Sequence, residues 1–132
     1  MIMVWRVLIL EDTKERQDIL TSLYRNHAWI LVNTAFRANT LLNAYEFDIV
    51  SLDYNLRGEL TGTSVAEELL KTNNKQARII IHSMNPDGAK SIQQLLPTAI
   101  CYPVNKIARS HHHFKIIREK INTLGPAYDW TD

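Results

Sequence analysis

Cysteine is all but missing from this chain of 132 residues: Cys101 stands alone, so no internal disulfide can form. That absence excludes a disulfide scaffold and points to a reduced, cytosolic setting. An excess of one charge is missing as well. Fifteen Lys and Arg face fourteen Asp and Glu, a formal net charge of +1, which argues against a protein that coats polyanions. A small phosphate ligand held by a few groups stays open. Apolar runs such as residues 7–10 and 79–81 fall far short of the ~20 residues needed to span a bilayer. No signal peptide is expected near Met1, because Arg6 lies inside the first apolar segment and no small-residue cleavage site follows. Glycine and proline, four each, mark turns only, and no repeat or low-complexity segment is visible. What is present is 45% hydrophobic residues in a chain of single-domain length. A chain of this size buries about two-thirds of its unfolded surface and builds its own core.

The apolar residues alternate between short continuous runs and longer helical patterns. Residues 4–10, 29–32, 47–52, 78–81 and 99–102 read as strands, continuous rather than alternating, as in strands covered on both faces. Between them, helical spacing carries Ile19, Leu20, Leu23 and Tyr24; Leu41 and Leu42; Val65, Ala66, Leu69 and Leu70; then Ile92, Leu95 and Leu96. Thr13 offers an N-cap to the first of these helices, with Lys14, Glu15, Arg16 and Asp18 as its wet face. Ile107, Phe114, Ile117, Ile121 and Leu124 fit one face of a final long helix. Gly125-Pro126 closes it, so a domain over residues 1–124 and a short tail over 125–132 are expected. Alternating β and α segments of this kind mean a parallel sheet with helices on both faces, and right-handed crossovers restrict it to doubly wound forms.

In such a sheet, ligands bind outside the carboxyl ends of the strands. Glu11-Asp12 ends strand one, Asp53 strand three, His82-Ser83 strand four and Tyr102-Pro103 strand five. Three carboxylates from two strand ends converge on one rim, where they repel unless their pKa values rise or a hard cation binds. Oxygen ligands favour Mg²⁺, which completes its octahedron with water and phosphate oxygens. The alternative is that Glu11 and Asp12 only cap the first helix.

These residues resemble the receiver domain of two-component response regulators: the acidic pair, the segment Asp53-Tyr54-Asn55-Leu56-Arg57-Gly58 and the hydroxyl residue Ser83. The resemblance covers roughly residues 4–123 and implies a single (βα)5 flavodoxin-like domain, with a five-stranded parallel sheet in the order 2-1-3-4-5. It implies Mg²⁺ on Glu11, Asp12, Asp53 and the main-chain carbonyl of Asn55, Asp53 as phosphoacceptor, and Ser83 on a phosphoryl oxygen. Receivers carry a lysine immediately before the proline after strand five; Tyr102 stands there, with Lys106 about one helical turn on. A more specific signal is His82-Ser83-Met84-Asn85-Pro86-Asp87-Gly88. With the other two strand ends, it is similar to a divergent receiver-like family proposed to process cyclic phosphates and associated with RNA-repair and phage-type gene sets. An acidic residue two after the strand-three aspartate is common in that family; here it is Asn55.

The resemblance implies an Mg²⁺-dependent enzyme in which Asp53, His82 and Ser83 are catalytic, and Ser83, Asn85, Gly88 and Lys106 bind phosphate. Its substrate would be a cyclic-phosphate small molecule or an RNA terminus. The alternatives are a stand-alone receiver phosphorylated on Asp53 by a histidine kinase, and a pseudo-receiver that only binds. A cytoplasmic monomer or weak homodimer without a membrane segment is expected. Other conspicuous residues have plainer readings. His82 also reads as a structural histidine ending a buried strand, and Asn85, Pro86 and Gly88 as turn residues. His111 to His113 point three ways from a helix start, Cys101 reads as a packed thiol, and Arg57 as a solvated loop charge.

Overall fold

The computed structural model describes residues 3–131. Five parallel strands form one sheet: β1 (Arg6–Leu10), β2 (Ala28–Val32), β3 (Ile49–Leu52), β4 (Arg78–Ile81) and β5 (Ile100–Cys101). Their order is β2-β1-β3-β4-β5, and each neighbouring pair is parallel. Among the described residues, six α-helices connect and flank them: α1 (Lys14–Leu23), α2 (Ala35–Ala44), α3 (Gly62–Leu69), α4 (Pro86–Leu95), α5 (Val104–Ile107) and α6 (His111–Leu124). This is the doubly wound, flavodoxin-like order expected above. None of the helices is long and apolar enough to cross a membrane among the described residues.

The continuous apolar runs bury both faces of the central strands. Leu8, Leu10, Val50, Leu52, Ile79 and Ile81 pack under α2, α3 and α4. Their neighbours Val7, Ile9, Ile49 and Ile80 pack on the other face under α1, α5 and α6. Each buried side chain of this size stabilises the fold by about 1.5–3 kcal/mol relative to exposure. Helix starts are set by short polar side chains. Thr34, Thr61, Asn85 and Ser110 accept from Arg37, Thr63, Gly88 and His113 amides respectively. Thr13 holds the cap position of α1, but its hydroxyl donates to Glu11 instead.

Register decides where the chemistry sits. Leu10 lies opposite Leu52, and Leu52 opposite Ile81. Glu11, Asp53 and His82, the next residue on each strand, therefore leave the sheet at one level.

The last part of the chain departs from the expected single long helix. Ser110 caps α6 separately, so Ile107 belongs to α5, and Leu124 is exposed. Gly125 then turns at φ +54°, where a Cβ would stand 2.1 Å from the Trp5 ring. The segment expected as a tail folds back: Arg78 Nε donates to Pro126 O at 2.8 Å, and Tyr128 and Trp130 are buried in the α6-side core. Cys101 is exposed on the edge strand rather than packed, because β5 has no outer neighbour among the described residues.

Candidate metal and phosphate site

Glu11 is fully buried at the end of β1, and both its oxygens are in use. Oε2 accepts from the Asp12 amide (3.0 Å), the Thr13 amide (3.1 Å) and the Thr13 hydroxyl (3.2 Å). Oε1 meets His82 Nε2 and Arg16 Nε, each at 3.0 Å. Burial pushes the Glu11 carboxyl up, but His82, Arg16 and the Thr13 amide outweigh it and hold it well below the usual range. An ionised Glu11 can only accept, so His82 Nε2 carries the proton. His82 Nδ1 pairs with the buried Ser51 hydroxyl at 2.7 Å. Both His82 nitrogens are engaged, and the ring has no exposed surface.

Asp53 and Asp12 are differently placed. Asp53 Oδ1 accepts from the Tyr54 amide at 2.8 Å, while Asp53 Oδ2 and Asp12 Oδ1 are buried without a hydrogen-bond partner. Both of these oxygens lie 3.8 Å from Arg16 Nη2. Burial and the Glu11 charge raise the Asp53 carboxyl above its ordinary value, against the pull of His82, the Ser83 hydroxyl and the Tyr54 amide. Ligand atoms of Glu11, Asp53 and His82 lie within 4.8 Å of one another. Three carboxylates against one guanidinium, with two oxygens unspent, fit a divalent cation.

The remaining predicted residues surround this rim unevenly. Ser83 is buried, and its hydroxyl accepts from the Asn85 amide at 3.1 Å. Asn85 Oδ1 in turn accepts from the Gly88 amide at 3.0 Å, so that amide is spent on capping α4. Gly88 matters in another way: a Cβ there would lie 2.3 Å from the Tyr54 ring, so only glycine lets α4 close on the residue after Asp53. Asn55 is exposed on the following loop. Lys106 lies on α5 with its ammonium 4.7 Å from the Tyr102 ring centroid. Tyr102 itself is built into the α6-side core, its hydroxyl bonded to His113 Nε2 at 2.8 Å and its ring 5.3 Å from that of Trp130. His113 is thus partnered, while His111 and His112 are exposed at the start of α6.

The family model for the cyclic-phosphate processing receiver domain matches residues 6–98, more than two-thirds of the chain. The chain belongs to that family. Solved receiver domains share its fold at low identity. The phosphorylated cyanobacterial phytochrome response regulator RcpA is 20% identical, with a TM-score of 0.70 over 92% of this chain and 95% of its own. The Mn²⁺-bound response regulator Rcp1 is 18% identical, with a TM-score of 0.67 over 97% of each chain. TrrA from Thermotoga maritima, solved with Mg²⁺-BeF, is 17% identical, with a TM-score of 0.65 over 86% of this chain and 99% of its own. No curated protein matches.

Two residues of this receiver's rim escaped the sequence reading. Arg16 counts there among the wet residues of α1, yet one turn into the helix it reaches back to all three carboxylates. Ser51 sits in an apolar run, where a lone hydroxyl signals a buried partner; that partner is His82.

Proposed function

We propose that this chain is an Mg²⁺-dependent enzyme domain that opens cyclic phosphates, either 2′,3′-cyclic ends of RNA or free cyclic nucleotides. The observation that carries the reading is the pair of buried carboxylate oxygens that accept no hydrogen bond, Asp12 Oδ1 and Asp53 Oδ2, each met only by Arg16 at 3.8 Å. Leaving two such oxygens without hydrogen bonds, with one guanidinium shared among three carboxylates, is costly unless a further cation takes them. Glu11, Asp12 and Asp53 hold Mg²⁺ in this reading, with the Asn55 main-chain carbonyl as a further ligand. When bound, Mg²⁺ polarises phosphate oxygens and acidifies a ligated water. Water adds to phosphorus, one ring P–O bond breaks, and the leaving oxygen takes a proton, giving a phosphomonoester.

This chain's own residues bind and orient. The Ser83 hydroxyl, beside Asp53, donates to a phosphate oxygen, and Asn85 fixes the loop that carries it. His82 works through Glu11, as a positioning residue that keeps the carboxylate ionised and aimed. Lys106 serves the phosphate by leaving the Tyr102 ring. A free thiol at Cys101 suits a cytoplasmic setting.

The unspent Asp53 oxygen also supports a second reading, a stand-alone receiver phosphorylated there by a histidine kinase. Tyr102, tied into the core where receivers keep a lysine, counts against it.

Phosphorus NMR of 2′,3′-cyclic AMP with the protein separates these readings. Mg²⁺-dependent conversion to a monophosphate, lost in Asp53→Asn, is the expected result. No conversion of either the nucleotide or a cyclic-phosphate-ended oligoribonucleotide overturns the enzyme assignment.

A further inference from the structure

The most exposed large apolar side chain among the described residues is Phe36, at 74%. It stands in the first turn of α2, where nothing in the core requires an aromatic ring. Beside it, the loop that leaves Asp53 crosses to the turn between β2 and α2. The Arg57 amide donates to Asn33 O at 3.0 Å, and Thr34 and Arg57 form a parallel bridge. Gly58 follows at φ +93°, a backbone conformation that favours glycine. Between this loop, α2 and β2 lies a groove of about 930 Å³, lined among others by Ile30, Phe36, Arg37, Arg57 and Leu60. Glu59 is the one acidic side chain on its wall, against two arginines. The volume is at the upper end for a small-ligand site, commonly about 300–1,000 Å³.

The groove borders the strand ends that carry the acidic rim. Its floor residue Val32 accepts from the Glu11 amide at 3.0 Å. Its wall residue Arg57 lies four positions after Asp53, on the same loop. Arg57 and Phe36 thus both stand on segments that follow rim-bearing or rim-paired strand ends, the one after Asp53 and the other after the β2 end bonded to Glu11. An exposed aromatic ring and two arginines lining one groove are the chemistry that takes single-stranded nucleic acid, by stacking on bases and pairing with phosphates.

We propose that this groove holds the 3′-terminal nucleotides of an RNA strand whose terminal phosphate lies at the acidic rim. Phe36 stacks on a base, and Arg57 and Arg37 take the phosphodiesters leading out on the 5′ side. The inference rests on the cyclic-phosphate reading above and narrows its substrate to an RNA end. The overall charge of +1 does not conflict with it, because only a few nucleotides are engaged and two arginines line the groove.

The test is fluorescence anisotropy with a 5′-labelled six-nucleotide oligoribonucleotide ending in a 3′-phosphate, a product-like probe that is not consumed. Wild type is compared with Phe36→Ala and with the Arg37→Ala/Arg57→Ala double variant. All three positions are exposed, so folding is expected to be unchanged and is checked by thermal denaturation. Phe36→Ala is expected to weaken binding about tenfold, the loss of one base stack. The double variant is expected to flatten the salt dependence by about 1.4 in log–log slope, two phosphate contacts at about 0.7 each. Affinity for inorganic phosphate, which reads the rim alone, is expected to be equal in all three proteins. Oligonucleotide affinity unchanged in both variants overturns the inference. So does wild type that converts 2′,3′-cyclic AMP but ignores the oligonucleotide, a result that leaves the enzyme reading standing. Self-association in sedimentation that Phe36→Ala abolishes, without oligonucleotide binding, also overturns it, by making the groove a contact between copies.

Discussion

The guanidinium of Arg16 reaches three carboxylates at once, with Glu11 at 3.0 Å and Asp12 and Asp53 at 3.8 Å. It is the internal rival of any cation that binds the rim. Arg16→Met removes that rival while keeping the aliphatic stem, and divalent-cation affinity measured by calorimetry is expected to rise about tenfold, one charge-assisted hydrogen bond's worth. A residue at the opposite end of the sheet gives a prediction independent of metal. Partial burial pushes the Asp48 carboxyl up, but bonds from the Arg6 amide, Nε and Nη2 outweigh it and lower its pKa. A depressed folded pKa contributes stability above the unfolded value of about 3.9 that is lost as pH falls through the folded one. Asp48→Asn is therefore expected to cost about 0.5–1 kcal/mol at neutral pH. In denaturant titrations repeated down the pH scale, the gap from wild type closes below about pH 4.

Among the elements, the strands were the most legible, because a run such as residues 7–10 buries on both faces only in the middle of a parallel sheet. The strand-end acids were legible for the same reason: once strands are assigned, register places Glu11 and Asp53 on one rim. Arg16 was not, since a charged residue in a first helical turn reads as solvated unless the rim beside it is known. The break before α6 was signalled only by Ser110, whose capping competes with the continuous apolar spacing from Ile107. The approach of α4 to Tyr54 depends on contact across the sheet and has no local sign beyond glycine itself. Gly88→Ala tests it. An alanine early in a helix is ordinarily stabilising by up to about 1 kcal/mol. Here its Cβ would meet the Tyr54 ring at 2.3 Å, and a net loss of about 1–3 kcal/mol is expected by denaturant titration.

For the whole molecule, the C-terminal segment is part of the structure. Trp130 adopts φ +59°, a conformation bulky residues avoid, and packs with Tyr128 and Tyr102. The packing of two large rings outweighs a local cost of about 1–3 kcal/mol. Trp130→Ala is expected to destabilise by about 2–4 kcal/mol, the usual core-aromatic loss less some relief of strain, read as a fall in denaturation midpoint. The same packing draws Tyr102 into the core and so shapes the far side of the rim.

The proposed chemistry requires the rim to be a cation site rather than an ion cluster that Arg16 neutralises by itself. Amide NMR during Mn²⁺ titration distinguishes the two most directly. Broadening at one equivalent that begins at Asp12, Asp53 and Ser83 and is reversed by excess Mg²⁺ is the predicted result. Those amides unmoved while scattered surface acids broaden would contradict it.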